Sequence, residues 1–306
     1  MHAIATNTHN VTQFPKTVEY NISTCAVLVE FNVSQWTARK LDKSTTDEVL
    51  RDKNAGERGA ARVNKHLLAG RKELEIIQQH VTATRNYMYT NTLPWSDAGM
   101  RLLPVAKLIE FTQYVDNAEA IFNQLVDDFI AIYPTLITAQ ALALGAMFNR
   151  DDFPTPQELR HKFSFRMNVM PVPSAGDFRV DVGVQAEREL KNKLNSLANE
   201  RVTHAMRDIK TRLKEHLDRM SDRLAVDVVN NETKTRKFHN TLVETAHELC
   251  DLVRHLNLTN DTELEAARQQ LAQTINGLTA DDLRNNLDVR SEVKQNVDAI
   301  RNAFSF

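Results

Sequence analysis

From residue 184 to residue 306 the chain contains no proline, and Gly277 is the only glycine. Those two residue types punctuate backbones, so a stretch this long without them is restricted to long elements joined by few turns. Its apolar residues recur mostly at steps of three and four, the spacing of one face of a helix. Leu190, Leu194, Leu197, Val202, Met206, Ile209, Leu213, Leu217, Met220, Leu224 and Val228 form one drifting stripe. Its mean step exceeds that of a heptad repeat, so a regular two-stranded coiled coil is not required. Leu242, Ala246, Leu249, Val253 and Leu256 alternate four and three, as a seam between helices would. Two further helices are expected to start in LTNDTELEAA and LTADDL, capped by Thr or Asp. The last is expected to carry Leu283, Leu287, Val293, Val297, Ile300 and Phe304. Such helices are marginal alone and must pack on each other or on a partner.

The first half reads differently. Residues 1–22 are polar and aperiodic, which predicts an extended arm. CAVLVEFNVSQW, residues 25–36, alternates Val27, Val29, Phe31 and Val33 and predicts a strand. Thr45 with Glu48 has capping-box spacing and predicts a short helix. Val63, Leu67, Leu74, Ile77, Val81 and Met88 predict an amphipathic helix over residues 58–88. RLLPVAKLIEF, residues 101–111, reads as a strand confined to an edge or a bulge by Pro104. A second helix is expected from about Tyr114 to Ile132, broken or kinked at Pro134. Thr155, Pro156 and Glu158 supply a cap, a first-turn proline and a capping glutamate. FSFRMNVMPVP and DFRVDVG, separated by Ser174, Ala175 and Gly176, predict a β-hairpin. The expected fold is therefore α+β and predominantly helical. An arm (1–22) precedes a small antiparallel sheet with covering helices (23–183), and a bundle or coiled-coil-like region of amphipathic helices follows (184–306).

Residues 130–148, IAIYPTLITAQALALGAMF, carry no charge and have about the length of a membrane span. Pro134, Gln140 and the hydroxyl side chains dilute the run, and the flanks lack a strong positive bias, so a buried core helix is expected and no membrane. Only Cys25 and Cys250 are present, and the first twenty residues lack an apolar signal core. A cytoplasmic, reducing setting is expected, with Cys25 packed in its strand.

The residues offer little chemistry. The 38 Lys and Arg are spread evenly against 40 Asp and Glu, so no basic domain marks a nucleic-acid binder. No GxxxxGKS or GxxxxGKT loop exists, and glycine is too sparse for another common phosphate cradle. His247, Asp251 and His255 lie at i, i+4 and i+8 on one helix face, a geometry open to a metal but commoner on a solvated face. The pairs Asp127 with Asp128 and Asp151 with Asp152 fit a polar helix face and a capped helix start better than a two-metal site. No catalytic residue, metal site or cofactor is expected. Trp36 with Arg39 and Lys40 would suit base stacking and phosphate contact, with Arg201, Arg207, Lys210, Arg212, Lys214 and Arg219 in support. Interleaved Asp208, Glu215, Asp218 and Asp222 favour a core tryptophan and an ordinary mixed-charge helix instead.

LVEFNVSQWTARKL (28–41) and FNRDDFPTPQELRHKFSFRMNVMPVP (148–173) resemble a family of tailed-phage proteins of unknown function, often encoded beside a MoxR-type AAA ATPase and a von Willebrand A-like protein. The resemblance spans about residues 25–183. It implies a viral, host-cytoplasmic setting and an AAA ATPase as a partner, and brings no catalytic residues. The function expected overall is non-enzymatic assembly or adaptor work, through contacts of the C-terminal helices with further copies or with another protein. Leu190, Leu194, Leu197, Met206, Ile209, Leu213, Leu217, Met220 and Leu224 are the expected contact residues. A nucleic-acid-processing accessory role is the second reading and a metal-dependent enzyme the third.

Overall fold

The computed structural model describes residues 22–57, 59–173, 184–229 and 232–304. Residues 1–21 of the expected N-terminal arm and the second strand of the 163–183 hairpin lie outside the described residues, and Ile22, expected as the end of the arm, starts a helical turn. A helical turn, α1 (Ile22–Cys25), leads into β1 (Ala26–Ser34). A ribbon of β2 (Arg39–Leu41) and β3 (Asn64–His66) flanks α2 (Lys43–Asp52). Helix α3 (Glu73–Asn91) is followed by β4 (Leu93–Pro94) and β5 (Arg101–Pro104). The long α4 (Leu108–Leu144), the short α5 (Pro156–Arg160) and β6 (Ser164–Pro171) complete the first half. Then come α6 (Val184–Leu224), a hairpin of β7 (Val226–Val229) and β8 (Glu232–Thr235), α7 (Thr241–Leu256), α8 (Thr262–Thr274), α9 (Ala280–Asn285) and α10 (Leu287–Ala303).

Antiparallel strands in the order β4, β5, β1, β6 form the main sheet. In register, Leu28 pairs with Leu102 on one side and Met170 on the other. The sheet is a wall with a core on each face. Val29 and Leu103 point to one core, closed by α3 and α4, while Ala26, Leu28, Leu93 and Leu102 point to the other, closed by α6, α7, α8 and α10. Two-fold alternation along a strand makes this possible, because neighbouring side chains leave on opposite faces. The change in sequence pattern at residue 184 is therefore not a boundary between two cores.

Several expected boundaries shift. The helix expected from 58 begins at Glu73, because Gly56, Gly59 and Gly70 (φ 73°) interrupt the segment and β3 takes part of it into the ribbon. In that ribbon Lys65 is nearly buried, lies 3.6 Å from Asp42 and 2.5 Å from Asp152, and donates to the Met147 carbonyl. An extended strand presents Lys65 to both carboxylates, and this fastens the ribbon to the end of α4. Asp42, not Thr45, caps α2: its carboxylate accepts from the Thr45 amide and the Ser44 hydroxyl, and those bonds lower its pKa. The strand at 101 stops at Pro104 and is not an edge, since β4 lies outside it. Helix α4 runs unbroken through Pro134. The α6 stripe stops at Leu224, so Val228 sits in a hairpin instead of on the helix. Asn286 caps α10 and separates it from α9, dividing what was expected as one last helix. The Thr155 capping box forms as expected.

Candidate functional site

Helix α6 has two regimes along its length. From Val202 onward its apolar side is internal: Val202, Ala205, Met206, Ile209, Leu213, Leu217, Met220 and Leu224 are all buried in the core shared with α7, α8 and α10. Helix α10 packs along α6, and Lys210 reaches Asp261 at 2.5 Å to tie in the start of α8. Six expected contact residues, Met206, Ile209, Leu213, Leu217, Met220 and Leu224, are thus covered by their own chain and present no surface to a partner. A helix of 41 residues, about 62 Å long at 1.5 Å per residue, outruns a small sheet, but a bundle folding back covers much of its stripe.

The first part of α6 is left out of this arrangement. No residue from 185 to 201 is buried, although Leu190, Leu194 and Leu197 continue the apolar stripe. These three are the remaining expected contact residues, and Leu197 is 39% exposed. Around them stand Glu187, Lys191, Lys193, Glu200 and Arg201, of both signs, with Lys191 paired to Glu187 at 2.7 Å. Arg201, at the root of this arm, lies over the buried Trp95 ring, 5.5 Å from its centroid. That contact marks where the helix leaves the core. The arm is about 26 Å long at the same rise per residue.

A second apolar surface was misjudged from sequence. The uncharged run at 130–148 is helical down to Leu144, yet it buries only one side: Tyr133, Leu136, Ile137, Gln140 and Leu144. Leu142 is 92% exposed, and Ile132 and Met147 are also open. Of the described helices, the one spanning Val105–Met147 is long and apolar enough to cross a membrane by length and composition. The uncharged run itself was the signal for this surface; reading it as wholly buried missed the exposed side.

Trp36 does not stand beside Arg39 and Lys40 as a base-stacking platform. It is buried, with its ring edge-on to Tyr133 at 5.6 Å and tilted against Phe129 at 6.4 Å. Arg39 and Lys40 are exposed on β2, and Lys40 lies 4.0 Å from Asp152. Packing against α4 removes the tryptophan face that a base would need, so the structure separates the three residues. In the basic stretch of α6, Arg212 pairs with Asp208 at 2.7 Å and donates to the Tyr89 carbonyl, and Lys210 pairs with Asp261.

The acidic pairs are in use structurally. Asp127 pairs with Arg160 of α5, Asp128 accepts from Gln124, and Asp152 meets Lys65. His247 and Asp251 are exposed on α7, and among the described residues no three of His, Cys, Asp and Glu converge as a metal site. Cys25 is exposed at the end of α1 instead of packed in the strand, its sulfur donating to the Ile22 carbonyl. Cys250 is buried, and burial pushes its pKa up to about 11, away from thiolate chemistry.

Comparison with protein-family models, with curated proteins and with solved structures gave no match. The functional reading therefore rests on the chemistry of these surfaces.

Proposed function

We propose that this chain is a non-enzymatic assembly protein that joins a second copy of itself through the N-terminal arm of α6. The observation that carries the reading is the Leu190, Leu194 and Leu197 seam, which continues a core stripe beyond the point where the described residues bury it. The charges around the seam favour self-pairing. If two arms run antiparallel with Leu194 of one chain against Leu197 of the other, Lys191 of each faces Glu200 of its partner. Opposite charges at such flanking positions set orientation more than affinity.

Magnitudes set the strength. Covering three partly exposed leucines on each chain contributes on the order of 3 to 6 kcal/mol, comparable with the cost of association. The arms alone therefore give a concentration-dependent pairing. A host-cytoplasmic setting with an AAA ATPase as a further partner, implied by the phage resemblance, belongs to the same reading and is tested by co-purification.

Sedimentation measures the central claim. At tens of micromolar the chain is expected to sediment above its monomer mass, and Leu190→Glu with Leu194→Glu to return it to monomer at unchanged helicity. Both residues lie outside the core, so the variant folds. A wild-type chain that stays monomeric overturns the reading, as does recovery chiefly in an alkali-resistant membrane fraction, which would assign the α4 face to lipid.

A further inference from the structure

A cleft of about 570 Å³ lies between the end of α6 and the start of α7. His216, Arg219 and Arg223 reach it from one face of α6, at spacings of three and four. Lys237 and Phe238 come from the link between β8 and α7, and Thr241 from the first turn of α7. Among the described residues no carboxylate lines it. Among the described residues Arg219 and Lys237 form no ion pair, and Arg223 meets Asp222 only at 3.9 Å, while Arg236 holds that carboxylate more closely. Behind the cleft lie two further guanidinium groups, of which Arg284 is paired with Asp281 at 2.7 Å. Arg284 and Arg290 lie 5.2 and 5.3 Å from the Phe238 ring, and Arg290 is buried with its hydrogen bonds going to main-chain carbonyls, not to a carboxylate.

Arg219 and Lys237, without an ion pair among the described residues, and the loosely paired Arg223 give the cleft a positive potential that favours an anion. His216 points to the same need independently. It is 2% exposed, it lines the cleft, and neither ring nitrogen has a hydrogen-bond partner. Its interaction with the Leu242 main chain falls short of a hydrogen bond. A buried polar group left unpaired costs about 1 to 3 kcal/mol and calls for a reason. The positive end of the α7 dipole adds to the field, although the Leu242 and Val243 amides already donate to His239 and Asn240 carbonyls.

We propose that this cleft binds the phosphate of a phosphorylated small molecule, with Arg219, Arg223 and Lys237 on the phosphate oxygens and His216 as an additional hydrogen-bond donor. The volume exceeds that of a bare phosphate, and the Phe238 ring and Leu242 supply an apolar wall for the group that carries it. Three converging cations suit a phosphate monoester, with three free oxygens and close to two negative charges, better than a carboxylate with two oxygens and one charge. No cleft residue belongs to the arm of α6, so this inference and the assembly reading stand or fall separately.

Calorimetry on the full chain with inorganic phosphate, glycerol phosphate and adenosine monophosphate tests it. At least one ester is expected to bind, and more tightly than inorganic phosphate. Arg219→Gln with Arg223→Gln, two exposed positions, is expected to weaken binding more than about tenfold, since each lost charge-assisted bond contributes more than a factor of ten. His216→Leu provides a second variant. It removes a polar group that has no partner, so the fold is retained by circular dichroism while binding weakens. Absence of binding at millimolar ester, equal affinity in the arginine variant, or inorganic phosphate binding as tightly as its esters would each overturn the proposal.

Discussion

His216 shows how burial alone can make one residue a determinant of acid stability. Desolvation first, and the Arg219 charge second, push its pKa from 6.5 down to about 4. The folded chain thus holds the ring neutral where the unfolded chain would protonate it. A depressed folded pKa contributes stability that is complete above the unfolded value and is lost as pH falls toward the folded one. The window here is pH 6.5 to about 4. Urea titrations at neutral pH and at about pH 4.5 should show the wild type losing roughly 2 to 3 kcal/mol that His216→Leu does not lose. Equal losses would mean that the ring reaches water or a partner. The sequence places His216 on α6 but does not show it buried, because it sits beside Leu217 at the edge of the stripe. Trp36 is the opposite case: an aromatic closing an apolar strand is legible as core, and it packs on Phe129 and Tyr133.

At the scale of elements, Pro134 tests how strongly tertiary contacts override local preference. A proline inside a helix removes one hydrogen bond and crowds the preceding turn, yet α4 continues through it. What holds the helix together is burial on both sides of the proline: Phe122, Val126 and Phe129 before it and Leu136, Ile137 and Leu144 after it lie in one core with α3 and the sheet. Pro134 itself is exposed. Pro134→Ala is therefore expected to raise unfolding free energy by about 1 kcal/mol or more, with no change in helix length. A lower stability would show that the bend is built into the packing. The arm of α6 follows the same rule in reverse, since its leucines match those of the buried part but meet no described neighbour that buries them. Spacing identifies a stripe; it does not say where along the helix the cover ends.

For the molecule as a whole, the sheet couples the two halves. Leu28 and Leu102 face the C-terminal helices, and Val29 and Leu103 face α3 and α4, so neither core is complete without the strands. Trp36 lies in one core and Trp95 in the other. Fluorescence of a Trp95→Phe chain, reporting Trp36 alone, should melt at the same temperature as far-ultraviolet helicity and as Trp95 in a conservative Trp36→Phe chain. Separate transitions would restore two independent domains divided near residue 184. Shared burial of one wall predicts a single cooperative unit.

The sequence by itself determined the helical C-terminal half, the β1 strand with its alternating faces, the capped start of α5 and the α+β class, because spacing, caps and the absence of proline act locally. Only the tertiary structure decided which face of each stripe is covered, that one sheet serves two cores, and that Lys65 must be extended to meet Asp42 and Asp152. It also gathered Arg219, Arg223 and Lys237 around His216, from segments that the β7–β8 hairpin brings together. Those outcomes depend on packing between residues far apart in the chain, and no pattern within a single segment encodes which distant surface will meet it.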